Sequence, residues 1–230
     1  GMILREKSHR PVYIAWDEYN VWYRARSGDD VVGNRALEEK YNLEDALVIT
    51  GFLNCFVRNA DIVKMANMAQ LVNVIAPIFT EGDELFLQTI YYPLQMYANN
   101  MKGESLDVFV DSPTYDTTPR FSLGDNEAST HLQDVPYLDV TAALDGDQLV
   151  ICVLNRHKDN AISTEIICQQ GAFTGSVEVY EINGPDIKSG NDFGKTNVQT
   201  ERKDDLKKPG ASFVYSFPAH SVTMFKGKIK

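Results

Sequence analysis

The residues predict a mixed α/β segment over 1–100, followed by an antiparallel, jelly-roll-like β-sandwich over 101–230. Three observations carry that prediction. Val12 to Trp16 is an unbroken apolar run that leads straight into Asp17-Glu18, the pattern of a strand covered on both faces in a parallel sheet. A strand, helix, strand alternation continues to about Ala66. After Met101 the texture changes to short stretches rich in Val, Ile, Tyr and Phe, divided by Gly, Asp and Pro.

Taken in order, the opening strand is followed by a polar stretch, Arg24 to Lys40, with Gly28, Asp29, Asp30, Gly33 and Asn34 as loop formers. A loop leaving the carboxyl end of a strand is a usual place for substrate contacts. Asn42 is a good N-cap, and Asp45 three residues on can return a hydrogen bond in a variant capping box. From Leu43 to Val57 the chain is apolar nearly all round, so a helix packed between a sheet and another layer is expected, ending near Arg58-Asn59. Ile62 to Ala66 reads as the next strand. Such a crossover makes the two strands parallel, with their carboxyl ends on one rim, and so brings Glu18 close to Asn67-Met68-Ala69-Gln70.

Leu85 to Ala98 reads as a second helix, which Pro93 either kinks or truly starts. Strands are then expected near Leu106–Val110, Tyr137–Ala143, Leu149–Asn155, Ser163–Gln169, Ser176–Ile182, Thr196–Thr200, Ser212–Phe217 and Ser221–Phe225. Asp145-Gly146 marks a hairpin between the second and third. The glycine-containing stretch Asn183 to Gly194 lacks phosphate-loop spacing and reads as a long turn, and the mixed-charge run Glu201 to Lys208 as a solvated hairpin or loop.

Bulk properties narrow the partners. A formal charge of −10 argues against nucleic acid and anionic membrane surfaces, whose binding needs a basic face. No run approaches the roughly twenty apolar residues of a membrane span, and GMILREKSHRP lacks the apolar core of a signal peptide, so a cytoplasmic and a periplasmic location both stay open. Cys55, Cys152 and Cys168 have no metal spacing and read as buried small apolar residues, a Cys152–Cys168 disulfide being the minor alternative. His9, His131, His157 and His220 show no metal pattern either and read as surface or hydrogen-bonding residues.

Glu18 is the sharpest functional candidate. Acidic and aromatic groups at the end of a buried strand stand where α/β folds build active sites. A retaining glycosidase needs such a carboxylate as nucleophile, with a second carboxyl group about 5–5.5 Å away. The plain alternative is that Asp17 or Glu18 only accepts backbone hydrogen bonds in a strand-to-loop turn. Asp17 and Asn20 are expected to shape the turn and orient Glu18. Trp16 is expected in the core, and Trp22 facing the site.

AWDEYNVWY, followed in order by LEEKYNLEDALVITGFLN, VKMANMAQLVNVIAPIFT and LFLQTIYYPLQMYA, resembles the C-terminal part of the α-L-arabinofuranosidases of glycoside hydrolase family fifty-one. The likeness is dense over roughly residues 1–100 and rests on architecture beyond them. It implies a partial (β/α) barrel, the last two of eight β/α units, followed by the sandwich. It also implies that Glu18 matches the nucleophile at the end of the seventh barrel strand. Gln70 falls in the family's Ala-Gln-Leu-Val-Asn block, where a glutamine contacts the arabinofuranosyl unit, and Trp22 falls on the leaving-group side. Tyr19 stands where the family usually has Trp, a departure expected to alter packing more than chemistry. The family's acid/base glutamate belongs to an Asn-Glu pair on the fourth strand. The one Asn-Glu here, Asn126-Glu127, lies in what reads as a polar loop of the sandwich.

The resemblance therefore implies a nucleophile without its acid/base, and an isolated chain that does not hydrolyse. The implied partners are an arabinose-containing oligo- or polysaccharide and either the remaining barrel portion or a second copy covering the open strand edges. No metal or organic cofactor is implied. Two other readings stay open from the sequence: a non-catalytic sandwich module for binding or assembly, and an endoglucanase-type glycosidase.

Overall fold

The computed structural model of the chain describes residues 7, 10–23, 38–123 and 126–230, with the backbone alone for 120–123 and 126–128. The expected polar loop after the first strand lies mostly outside them, at 24–37. Strand β1 (Ile14–Tyr19) and strand β2 (Val63–Met68) flank helix α1 (Leu43–Arg58), so the strand, helix, strand unit forms as its pattern predicts. β1 and β2 pair in parallel, with Ile14 opposite Val63 and Tyr19 opposite Met68.

The start of α1 follows from two side chains. Asn42 Oδ1 accepts the Glu44 amide at 2.9 Å, and Asp45 Oδ2 accepts the Asn42 amide at 2.8 Å, which satisfies donors that the first turn would otherwise leave open. The helix is apolar on two sides because it has two neighbours. Ile49, Phe52 and Phe56 meet Tyr19, Ala66 and Met68 of β1 and β2. Leu43, Ala46 and Leu47 meet Val150, Cys152, Leu154 and Met224 of the sandwich.

The region after β2 departs from expectation. Strands β3 (Ile78–Glu81) and β4 (Glu84–Leu87) form a hairpin, and helix α2 is Tyr91–Asn100, shorter than the Leu85–Ala98 helix expected. Phe79 and Phe86 stack at 5.2 Å across the hairpin, and Gln88 spends its amide on distant backbone, so Leu85 to Gln88 is drawn out of the helix. Pro93 sits in the first turn of α2, where a missing N–H costs nothing.

The sandwich comprises β5 (Glu104–Leu106), β6 (Thr114–Thr117), β7 (Arg120–Leu123), β8 (Asn126–Ser129), β9 (Leu132–Pro136), β10 (Leu138–Asp145), β11 (Gln148–Asn155), β12 (Ile162–Ile167), β13 (Val177–Asn183), β14 (Gln199–Leu206), β15 (Ser212–Phe217) and β16 (Ser221–Lys228). An antiparallel sheet runs in the order β14-β13-β16-β11-β10-β5, and β12–β15, β6–β9 and β7–β8 form separate pairs. The β10–β11 hairpin turns at Gly146, whose φ of 60° suits the glycine. One face of the large sheet packs on α1 and α2, and the other on β12–β15 through Phe173, Val179, Phe217 and Phe225. The layers are thus β1–β2, helices, large sheet, small sheet.

Four local expectations change. The strand expected over Leu106–Val110 shrinks to β5, and Phe109 beyond it is 86% exposed. The strand expected at Thr196–Thr200 lies further on, as β14, and takes in most of the mixed-charge run read as a solvated hairpin or loop, which is a largely solvated strand paired antiparallel with β13. It is the edge of the sheet, where alternating charges discourage further strand pairing. Asn126-Glu127 lies on β8 and not in a loop. Cys152 is buried, whereas Cys55 is exposed on α1; all three thiols are free.

β1 itself is not covered on both faces. Ala15 to Glu18 are exposed, and Trp16, expected in the core, is 44% exposed, resting on Phe56 at a centroid distance of 5.9 Å. The cause is that α1 covers one face while, among the described residues, β2 is the one strand paired with β1. Among the described residues no helix is long and apolar enough to cross a membrane.

Candidate functional site

At the carboxyl end of β1, Asp17 and Glu18 are exposed and, among the described residues, neither makes a side-chain hydrogen bond or ion pair. Tyr19 turns the other way. It is buried, with its ring edge-on to Phe56 at 5.0 Å and tilted to Phe52 at 5.9 Å, and so anchors the strand end to α1. A register shift between Trp16 and Tyr19 lets both rings reach Phe56 although they are three residues apart. Trp22 is 57% exposed.

Gln70 is exposed, two residues beyond Met68, and Met68 pairs with Tyr19. The parallel register therefore puts Glu18 and Gln70 on one rim, as the crossover argument requires. Asn20 ties the two strand ends together. Its Nδ2 donates to the Ala69 carbonyl at 3.1 Å and to the Ile75 carbonyl, and its Oδ1 accepts the Val21 amide at 2.8 Å. The turn-shaping foreseen for Asp17 and Asn20 thus falls, in hydrogen bonds, to Asn20. The Ala69–Gln70 peptide is cis.

Two residues behind the rim escaped the sequence reading. The buried Gln88 accepts the Tyr41 amide through Oε1 at 2.8 Å, and its Nε2 donates to the Glu39 and Ala76 carbonyls, each at 2.8 Å. Tyr41 donates its hydroxyl to the Val21 carbonyl at 2.6 Å. Burial, followed by Glu39, Asp45 and Tyr23, pushes the Tyr41 phenol far above its usual value, so it stays a neutral donor. No local signal marks either residue, because every partner lies on a segment distant in sequence.

Tyr23 donates its hydroxyl to Asp45, which links the segment after Glu18 to the helix cap. Burial raises the Asp45 carboxyl pKa above the usual 3.8, against the opposing hydrogen bonds from Tyr23 and Asn42. A carboxyl whose folded pKa is raised binds more protons folded than unfolded, so its contribution is full below about pH 3.8 and is lost as pH rises through the folded value. Asp45→Asn removes that dependence. Urea unfolding should show the variant gaining on the parent protein as pH rises above about 3.8, and a constant difference would count against a raised pKa.

Residues 17–221 match the family described as the alpha-L-arabinofuranosidase C-terminal domain. The chain belongs to this family. Within the family's relatives, the probable alpha-L-arabinofuranosidase C of Aspergillus niger is 34% identical over 225 residues, which cover 96% of this chain and 40% of that protein. The intracellular exo-alpha-(1->5)-L-arabinofuranosidase 1 of Bacillus subtilis is 33% identical over 202 residues, 84% of this chain and 38% of that protein. The crystal structure of the Thermotoga maritima alpha-L-arabinofuranosidase in complex with arabinose superposes with a TM-score of 0.81 at 30% identity, over 97% of this chain and 44% of that one. That of the GH51 enzyme from Thermotoga petrophila gives 0.82 at 30% identity.

The chain therefore spans about 40% of the length of the curated relatives it matches and corresponds to the C-terminal portion of a GH51 arabinofuranosidase. The superposition takes in both the α/β segment and the sandwich, in agreement with the fold class that the sequence predicts. Among the described residues, no group of three or more His, Cys, Asp or Glu is placed to hold a metal ion.

Proposed function

We propose that the chain is the C-terminal part of a retaining α-L-arabinofuranosidase that releases terminal arabinofuranosyl units from arabinan- or arabinoxylan-type saccharides. Glu18 is the nucleophile, Gln70 and Trp22 contact the substrate, and Asp17, Tyr19 and Asn20 support them. The observation that carries this reading is the exposed Glu18 carboxylate at the end of β1, with the Gln70 segment brought beside it by the parallel register. The names of the family's relatives agree with it.

In this mechanism the Glu18 carboxylate attacks the anomeric carbon and the bond to the leaving oxygen breaks. A separate carboxylic acid protonates that oxygen, and the same group then activates the water that hydrolyses the glycosyl ester. Neither metal nor organic cofactor enters these steps. Among the described residues this reading assigns a nucleophile, Glu18, and two substrate contacts, Gln70 and Trp22, but no acid/base. Without the general acid, about 10²–10⁴-fold of rate is missing, and without the remaining barrel walls the sugar is not held in line.

The division into a barrel segment over 1–100 and a sandwich over 101–230 is a boundary of architecture, not of packing, since α1 and α2 share a core with the large sheet. The remainder of the barrel is the partner that suits the exposed Tyr13, Trp16 and Met65 on β1 and β2.

The test uses an activated aryl arabinofuranoside. The purified chain should give no turnover above buffer. The same chain joined to the preceding portion of the Aspergillus niger relative should turn it over, and Glu18→Gln in that fusion should abolish turnover. Turnover that survives Glu18→Gln in the fusion would overturn the assignment, and robust turnover by the chain alone would overturn the division of labour.

A further inference from the structure

The stretch between β13 and β14, residues 184–198, is more than the long turn its composition suggests. It leaves the sandwich and bonds both to α1, which follows β1, and to the β3–β4 hairpin, which follows β2 and Gln70. At the start of α1, the Leu43 amide donates to Ser189 O at 2.8 Å and the Glu44 amide to Ile187 O at 2.9 Å, and Lys188 pairs with Glu44. Gly190 bridges Asn42, and a Cβ at Gly190 would stand 3.1 Å from Tyr41 O, so the loop lies directly against the residue that holds Val21. At the β3–β4 hairpin, Asn191 Nδ2 donates to Leu87 O at 2.9 Å, and Phe193 sets its ring edge-on to Phe86 at 5.0 Å and Phe79 at 6.1 Å.

Asn191 is built for this task. It is 7% exposed; its Oδ1 accepts the Asn197 and Val198 amides at 3.0 and 2.9 Å, and its second Nδ2 hydrogen goes to Val198 O at 2.8 Å. One amide thus folds the loop on itself and bonds it to the hairpin. Leu87 is next to Gln88, which grips Ala76, and Ala76 is next to Ile75, which Asn20 holds. The loop therefore bears on the Glu18 rim from two sides, through Tyr41–Val21 and through Leu87–Gln88–Asn20.

We propose that the sandwich sets the geometry of the Glu18–Gln70 rim through this loop, with Asn191 and Phe193 as positioning residues. The proposal rests on the functional reading above for the meaning of the rim, but its test does not use a sugar. The chain has two tryptophans, Trp16 and Trp22, and both flank Glu18, so tryptophan emission reports that segment alone. In native buffer, Asn191→Ala and Phe193→Leu should shift the emission and the acrylamide quenching constant, and Phe193→Tyr, which keeps the ring, should restore both. Val179→Ala, in the opposite core of the sandwich, should lower the melting temperature and leave both signals unchanged.

An unchanged tryptophan signal in Phe193→Leu, or an equal shift in Val179→Ala, would overturn the proposal. Phe193→Leu decides the matter if Asn191→Ala does not fold. Failure of the fusion enzyme to act on arabinofuranosides would sink the functional reading and leave the tryptophan result standing.

Discussion

Asp139→Ala should cost about 3 kcal/mol of unfolding free energy, a fall in melting temperature of about 6–12 °C for a chain of this size. Asp139 lies near the start of β10 and is 7% exposed. Arg58 at the end of α1 and Arg156 after β11 both pair with its carboxylate, and Asn54 Nδ2 donates to Oδ1 at 2.9 Å. Asn54 accepts in turn from the Tyr97 hydroxyl of α2. This polar chain crosses the interface between helices and sheet, where burial pushes the Cys152 thiol up to about 12.

Truncation leaves the Asn54 amide short of an acceptor and two guanidinium groups without a counter-charge. Breaking a buried pair typically costs about 3–5 kcal/mol; the low end applies because the Arg58 and Arg156 side chains are 38% and 27% exposed. Asp139→Asn, which keeps an acceptor but loses the charge, should fall between the two. Thermal or urea unfolding decides it, and a loss under about 1 kcal/mol would show that water already screens the pairs.

Phe225→Ala should be at least as costly, about 4 kcal/mol. Phe225 is fully buried at the middle of β16 and meets the rings of Tyr215, Phe213 and Phe217 of β15 at 5.0, 5.4 and 6.0 Å, all nearly edge-on. The β12–β15 pair shares no strand ladder with the large sheet, so it is held there by side-chain packing together with Asn155 Nδ2 of β11, which donates to the Phe217 carbonyl at 3.1 Å. Removing the central ring leaves a cavity and ends three ring contacts together. Val214→Ala, on the 69% exposed outer face of β15, should change stability by less than about 0.5 kcal/mol. Urea midpoints of the two variants that lie close together would mean that the small sheet is not seated through Phe225.

Much of the fold can be read from local rules because local contacts decide it. Asn42 and Asp45 mark the start of α1 because a capping box closes within four residues. Asp145-Gly146 marks its hairpin because a positive φ is needed at the turn itself. The all-round apolar surface of α1 correctly implies two packing layers, and the crossover rule alone brings Gln70 to the rim of Glu18. The family resemblance, carried by four ordered blocks, agrees with the match over residues 17–221.

What the local pattern leaves open depends on partners far along the chain. Leu85 to Leu87 has the composition of a helix, yet it pairs with β3 and receives Asn191 from 104 residues away. Gln88 looks like any polar residue near a helix start, and it serves as a buried clamp because Tyr41 stands 47 residues upstream. Glu201 to Leu206 looks solvated and is solvated, but one edge of it hydrogen-bonds to β13. Trp16 is apolar enough for a core and is left half in water because its strand has one neighbour among the described residues. Periodicity and capping report what a segment can form by itself; which face is covered, and which amide is spent on which carbonyl, is settled only when distant segments meet.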